Sequence, residues 1–229
     1  MKKIGVLGGM SWESSLEYYR IMNEEVKEKL GKTHSANFLM YSFDFHQVEV
    51  LQHENKWDEL TDLMVKEAAN LKAAGADFIV IATNTMHLMA GAIEKETGLE
   101  VLHIAKATGH EILKRGLKKI LLLGTKFTME GTFYREILEA MGIEVVIPNE
   151  ADRQVIHDVI YHELILGEIN IESKKAYVDV IEKMAKIGAQ GVILGCTEIP
   201  LLIKDEDVSI DVLDTTEIHA KAAVKNAIE

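Results

Sequence analysis

A single cysteine, Cys196, stands in this sequence, which excludes an internal disulfide and suits a reducing cytoplasm. Proline occurs only twice and no stretch is rich in Ser and Gly, so no floppy linker is expected. Cationic residues are the minority, 25 Lys and Arg against 37 Asp and Glu, for a net charge of −12. Nucleic-acid binding is dominated by phosphate neutralisation, and no basic cluster offsets that balance, so nucleic acid is not an expected partner. Long apolar runs are missing too. The longest, Phe78–Ala82 and Ile120–Leu123, fall far short of the ~20 residues that span a bilayer, so no membrane partner is expected. The start, Met1-Lys2-Lys3-Ile4-Gly5, enters a strand and then two glycines, with no apolar targeting core of the usual length, and a cytoplasmic location is the expectation that the lone cysteine suits.

Several signatures are also absent. The chain has no Gly-x-Gly-x-x-Gly, no P-loop lysine, no Gly-x-Ser-x-Gly elbow and no kinase set. None of its nine histidines forms a Glu-flanked i,i+4 pair or has a Cys partner at ligand spacing. His46 with His53, and His157 with His162, read as solvated or core residues rather than ligands. Neither a metal nor a cofactor is expected.

What remains is 48% hydrophobic and 27% charged, the balance of a packed globular protein. The 229 residues suffice for one large domain or two small ones. Strand Lys3–Leu7 breaks at Gly8-Gly9-Met10, and Ser11 is positioned to cap a helix Trp12–Leu30 with apolar Leu16, Tyr19, Met22 and Val26. Strand Phe38–Phe43 precedes a polar segment Asp44–Lys56, then a helix Trp57–Ala74 that stops at Gly75. Strand Phe78–Ala82, a helix from Met86 to Glu96, strand Val101–Ile104 and helix Ala107–Arg115 follow.

Then the order restarts. Lys118-Lys119-Ile120-Leu121-Leu122-Leu123-Gly124-Thr125 echoes Lys2 to Gly9. Helix Phe133–Met141, strand Val145–Ile147, helices Asp152–Leu166 and Lys174–Lys186, strands Val192–Leu194 and Ile210–Leu213, and helix Glu217–Ala227 complete the chain. A shift of 113 positions lays Gly75 on Gly188 and Thr83 on Cys196, and Val101-Leu102-His103 meets Val212-Leu213-Asp214 at nearly the same shift. Alternating β and α elements imply parallel sheets with helices on both faces. The expected fold is therefore two pseudo-symmetric three-layer α/β halves, 1–105 with 215–229 and 106–214, with the active site in the cleft between them. The helices Ala107–Arg115 and Glu217–Ala227 are expected to cross to the opposite half.

The repeat directs attention to Thr83-Asn84-Thr85-Met86-His87 and Gly195-Cys196-Thr197-Glu198, each at the end of a buried apolar run. Open parallel sheets hold their ligands at that carboxyl edge. A lone cysteine is usually a small core hydrophobe, but Cys196 follows its apolar run instead of sitting inside it. A strand-to-helix turn there offers amides and a positive dipole end, which favour a thiolate and bind a carboxylate. Asn84, Thr85 and Thr197 read either as turn residues or as donors to an anionic substrate. Gly8-Gly9-Met10, and Gly124-Thr125 with Thr128, are read as backbone donors to a carboxylate.

The motifs Gly8-Gly9-Met10-Ser11-Trp12-Glu13, Asn84-Thr85-x-His87 and Gly195-Cys196-Thr197-Glu198 resemble those of the aspartate/glutamate racemases, in particular the branch acting on both acids. The likeness runs through essentially the whole chain. It implies a racemase independent of pyridoxal phosphate, with two α/β domains related by a pseudo-dyad and usually dimeric. In that family two cysteines flank the substrate Cα, one taking the α-proton and the other returning one to the opposite face. Carried over, Cys196 is the second-half acid/base and Thr83 takes the place of the first-half cysteine. Asn84, Thr85 and Thr197 hold the α-carboxylate, and Met10, Gln52, Met86, Thr125 and Glu198 complete the expected substrate site. The substrate is a small dicarboxylic amino acid, L-aspartate or L-glutamate, and the partner is a second copy of the chain.

Thr83 departs from the two-cysteine pattern, and an alcohol is a much weaker acid or base than a thiol, so the two directions are not expected to be equivalent. Family members that use Arg and Lys near the substrate have no counterpart in Asp44–Gln52 or Tyr161–Ile169, which lack both residue types. Two other readings remain open. One is a single-thiol decarboxylase or isomerase of a small dicarboxylic acid. The other is a non-catalytic amino-acid-binding protein.

Overall fold

A computed structural model describes all residues, Met1–Glu229. Packing divides the chain into two units, Met1–Ile104 with His219–Glu229, and Ala105–Ile218.

In the first unit, strand β1 (Ile4–Gly8) is the centre of a three-stranded parallel sheet, between β2 (Phe38–Ser42) and β3 (Phe78–Ile81). β1 and β3 are buried at every position because helices cover both faces, which is why they read as unbroken apolar runs. Side chains alternate between the two faces. Ile4, Val6, Phe78 and Val80 pack with Tyr18, Met22 and Val26 of α1 (Trp12–Leu30), and with Ala220, Ala223 and Val224 of the last helix, α11 (Thr215–Ile228). Leu7, Ile79 and Ile81 face the opposite way, onto residues of α2 (Phe45–His53), α3 (Trp57–Ala73) and α4 (Ala90–Thr97).

The second unit opens with most of α5 (Ile104–Lys114). Its four strands, all parallel, run in the order β5 (Glu144–Val146), β4 (Lys119–Leu123), β6 (Gly191–Leu194), β7 (Asp211–Asp214). Leu121, Leu123, Val192 and Leu194 pack with α8 (Glu150–His162) and α9 (Ile171–Ala185). Between these elements lie α6 (Lys126–Glu130), α7 (Thr132–Ala140) and α10 (Ile199–Leu202). A β-carbon on Gly109 of α5 would stand 2.6 Å from the Met141 sulfur just past α7, and Tyr134 donates to the Thr108 hydroxyl at 3.2 Å, so α5 and α7 are closely packed. No helix is long and apolar enough to cross a membrane.

The structure departs from the sequence reading at several places, among them the expected helix Asp152–Leu166, which ends at His162 before a 3-10 turn Leu164–Leu166. The polar segment Asp44–Lys56 contains helix α2, capped by the Asp44 carboxylate, which accepts from the His46 amide. Val101–Ile104 is an isolated bridge to Ile79 and not a strand, because the Ile104 amide bonds the His87 ring and Ile104 begins α5. Met86–Glu96 is divided: a 3-10 turn Thr85–Met89 comes first, with the His87 amide on the Asn84 carbonyl, and α4 follows. On α1, Met22 and Val26 are buried as expected, but Leu16 and Tyr19 are 55% and 56% exposed, in line with Trp12 at 65%. The inner face starts instead with Ser14 and Ser15, whose hydroxyls satisfy themselves on the Ser11 carbonyl at 3.0 Å.

The C-terminal helix is tied into the first unit by His219. The Tyr18 hydroxyl and His219 Nδ1 are 2.7 Å apart, and His219 Nε2 is 2.7 Å from the Leu102 carbonyl. A carbonyl only accepts, so Nε2 carries the proton and Nδ1 accepts from the phenol. Burial holds this ring neutral, pulling its pKa from 6.5 down to about 4. The unfolded chain protonates the ring at a higher pH than the folded one. Stability conferred by the neutral ring is therefore full above about pH 6.5 and is lost as pH falls toward about 4. In urea titrations the stability lead of wild type over His219→Gln is expected to shrink across that window, by about 3 kcal/mol at most. A lead that does not change with pH would overturn this account.

Candidate active site

Register sets the first edge. Leu7 pairs with Ile81 and Gly8 with Ser42, so Gly9-Met10, Phe43 and Thr83 all leave the first sheet at its carboxyl end. Gly9 must be glycine: its φ is +82°, and a β-carbon there would stand 2.4 Å from the Phe43 carbonyl oxygen. Its amide donates to the Ser15 hydroxyl at 2.6 Å, which fixes the loop to α1. Met10 is buried, and the Met10-Ser11 peptide is cis.

Thr83 is half-buried at the end of this edge, while Asn84, Thr85 and Met86 are buried behind it. Gln52 Nε2 meets the Met86 sulfur at 3.2 Å, so these two expected substrate residues meet each other. His87 Nδ1 is 2.8 Å from the Thr83 carbonyl, and His87 Nε2 accepts from the Ile104 amide at 3.1 Å. Burial, then the neighbouring His103 and His219, push this ring's pKa well below its ordinary value.

The second edge repeats the plan. Leu123 pairs with Leu194 and Leu194 with Asp214, which brings Gly124-Thr125, Gly195-Cys196 and Thr215 out together. The Gly195 amide donates to the Leu123 carbonyl at 2.7 Å, and a β-carbon on Gly195 would stand 2.5 Å from that oxygen. On Gly124 it would lie 2.9 Å from the Gly195 oxygen. Two glycines thus let the turns touch. Thr125 caps α6, its hydroxyl accepting from the Thr128 amide.

The half-buried Cys196 thiol donates to Glu198 Oε2 at 3.0 Å, and the Thr197 hydroxyl donates to the same oxygen at 3.0 Å. The expectation of a favoured thiolate is overturned. Burial, and next the Glu198 carboxylate, push the thiol well above its ordinary range, and the amides of Glu198 and Thr197 only partly oppose them. The following helix, α10, starts at Ile199 and spans only four residues, too short for a strong dipole. Cys196 is therefore protonated at rest, with a proton acceptor already in contact. Tyr177 lies under this site, its hydroxyl on the Ile156 carbonyl at 2.9 Å. Burial and the nearby Cys196 and Glu163 raise its pKa.

Sequence reasoning missed two of these roles. The resemblance puts Glu198 in the substrate site, and the i,i+2 spacing from Cys196 also brings its carboxylate to the thiol. His87 had no role, although four residues from Thr83 is the spacing at which a helical side chain reaches back to a carbonyl.

Residues 7–223 match the family model described as Asp/Glu/hydantoin racemase. The chain is 24% identical to the broad specificity amino-acid racemase RacX of Bacillus subtilis over 226 residues, covering 96% of both chains. A Yersinia pestis structure provisionally described as an Asp/Glu racemase superposes at a TM-score of 0.94, with 50% identity over 100% of both chains. An aspartate racemase homologue from Pyrococcus horikoshii OT3 superposes at 0.86, with 39% identity over 100% of both. The chain belongs to the Asp/Glu/hydantoin racemase family.

Proposed function

We propose that this protein is a cofactor-independent racemase of L-aspartate or L-glutamate, with Cys196 and Thr83 acting on opposite faces of Cα. The observation that carries the reading is the Cys196 thiol seated on the Glu198 carboxylate at the carboxyl edge of β6, with Thr83 at the matching edge of β3. In the forward direction the thiol passes its proton to Glu198, and the thiolate then takes the α-proton of the L-acid. Thr83 gives its hydroxyl proton to the opposite face and regains one from solvent. Such a step needs a positioned acid–base pair and a prepared electrostatic environment. Asn84, Thr85 and Thr197 hold the α-carboxylate. Met10, through its backbone, and Thr125 line the substrate, with Gln52 and Met86 acting as the pair they form. Glu198 is assigned to the thiol in place of the substrate.

Because an alcohol is a far weaker base than a thiol, D-to-L conversion is slower than L-to-D. We further propose a cytoplasmic homodimer. The exposed line of Trp12, Leu16 and Tyr19 on α1 supports self-association.

A second reading draws on the same protonated thiol. A decarboxylase needs only one proton donor to quench a carbanion, and release of carbon dioxide from a malonate-like acid distinguishes it.

Chiral analysis after incubation with each L-acid tests the main reading. Wild type is expected to form the D-acid, Cys196→Ala to lose roughly 10²–10⁴-fold in turnover, and Glu198→Gln roughly 10–100-fold. Full activity in Cys196→Ala would refute it. In deuterium oxide, α-deuteration is expected to be much faster from the L- than from the D-enantiomer. Equal rates would remove the asymmetry assigned to Thr83. Light scattering is expected to report a dimer for wild type and a monomer for Leu16→Glu, and a monomeric wild type rejects the interface.

A further inference from the structure

We propose that His87 is the positioning residue of the Thr83 side of the site: a neutral ring protonated on Nδ1, it joins the Thr83 carbonyl to the Ile104 amide and so fixes where the Thr83 hydroxyl stands. This rests on the racemase reading of Thr83.

The two ring nitrogens have opposite tasks. The Ile104 amide at 3.1 Å is a donor, so Nε2 must accept. The Thr83 carbonyl at 2.8 Å is an acceptor, so Nδ1 must donate. Only one neutral tautomer satisfies both, and a protonated ring would set N–H against N–H at Ile104. The ring is buried, with His103 4.6 Å and His219 5.5 Å away between centroids, surroundings that disfavour a second positive charge.

Ile104 is itself held. His219 donates to the Leu102 carbonyl at 2.7 Å and is anchored in turn by Tyr18. A line of hydrogen bonds therefore runs from α1 through α11 and the 102–104 segment to Thr83. Each link lies within the first unit. The Thr83 carbonyl and side chain share one Cα, and a β-branched side chain has few χ1 rotamers. Holding that carbonyl thus restricts the hydroxyl to a small set of positions.

Two substitutions separate the two halves of the clamp. His87→Asn keeps a donor at the Nδ1 position. His87→Gln keeps an acceptor at the Nε2 position and loses the donor to Thr83. Each is incubated with the L-acid in deuterium oxide. Two products are followed: α-deuterated L-acid, which reports proton removal by Cys196, and D-acid, which also requires Thr83.

His87→Gln is expected to lower D-acid formation about 10–100-fold while leaving L-deuteration within about threefold, because misplacing a reacting group by ~1 Å costs on that order. His87→Asn, which keeps the bond to the Thr83 carbonyl and loses the tie to Ile104, is expected to lower D-acid formation less than His87→Gln does. An equal fall in both products, no fall at all, or failure of both variants to fold overturns the proposal. Nitrogen NMR of the wild-type histidines is expected to show His87 as the Nδ1–H tautomer, and the Nε2–H form also overturns it. A wild type that neither deuterates nor racemises the acids refutes the racemase reading itself, and this role with it, whatever the tautomer.

Discussion

The bond from the Gly195 amide to the Leu123 carbonyl, at 2.7 Å, is the constraint on which the second edge depends. It extends the pairing of two parallel strands one residue past the sheet, at a place where a β-carbon would collide with backbone. Cys196 consequently begins its turn against Gly124, with its side chain turned toward Glu198. The first edge has an equivalent in Gly9, held between the backbone of Phe43 and the hydroxyl of Ser15. In both units the residue proposed to act on the substrate follows, after one intervening residue, a strand buried at every position. The rigid sheet therefore sets where it stands.

Burial then decides charge. A thiol taken out of water and placed against a carboxylate stays protonated, and a histidine enclosed with other imidazoles stays neutral. Both groups are thereby given a definite hydrogen-bonding role at rest. The thiol is a donor with its acceptor in contact. The His87 ring is a donor at one nitrogen and an acceptor at the other. A free thiolate, or a freely titrating imidazole, would provide neither.

Much of this architecture was legible beforehand, because it depends on local pattern. The apolar runs at Phe78 and Val192, the glycine stops at Gly75 and Gly188, and the restart at Lys118 all report burial and chain reversal, which periodicity and glycine content reveal. The failures also have local causes. Leu16 and Tyr19 fit a helical stripe, but α1 has a second stripe of serines that satisfy one another on the Ser11 carbonyl, and that one is buried. Val101–Ile104 looks like a strand, yet one of its amides is taken by a histidine seventeen residues earlier.

Sequence by itself determined the alternation of strands and helices, the two matching turns, and the residue types at their tips, since each follows from the spacing of apolar and small residues along the chain. Tertiary structure alone decided which acceptor the thiol meets, which nitrogen of His87 carries the proton, and which face of α1 is buried. Those outcomes depend on distances of about 3 Å between groups brought together by folding, and on how far water is excluded from them. Neither quantity is written in the order of residues.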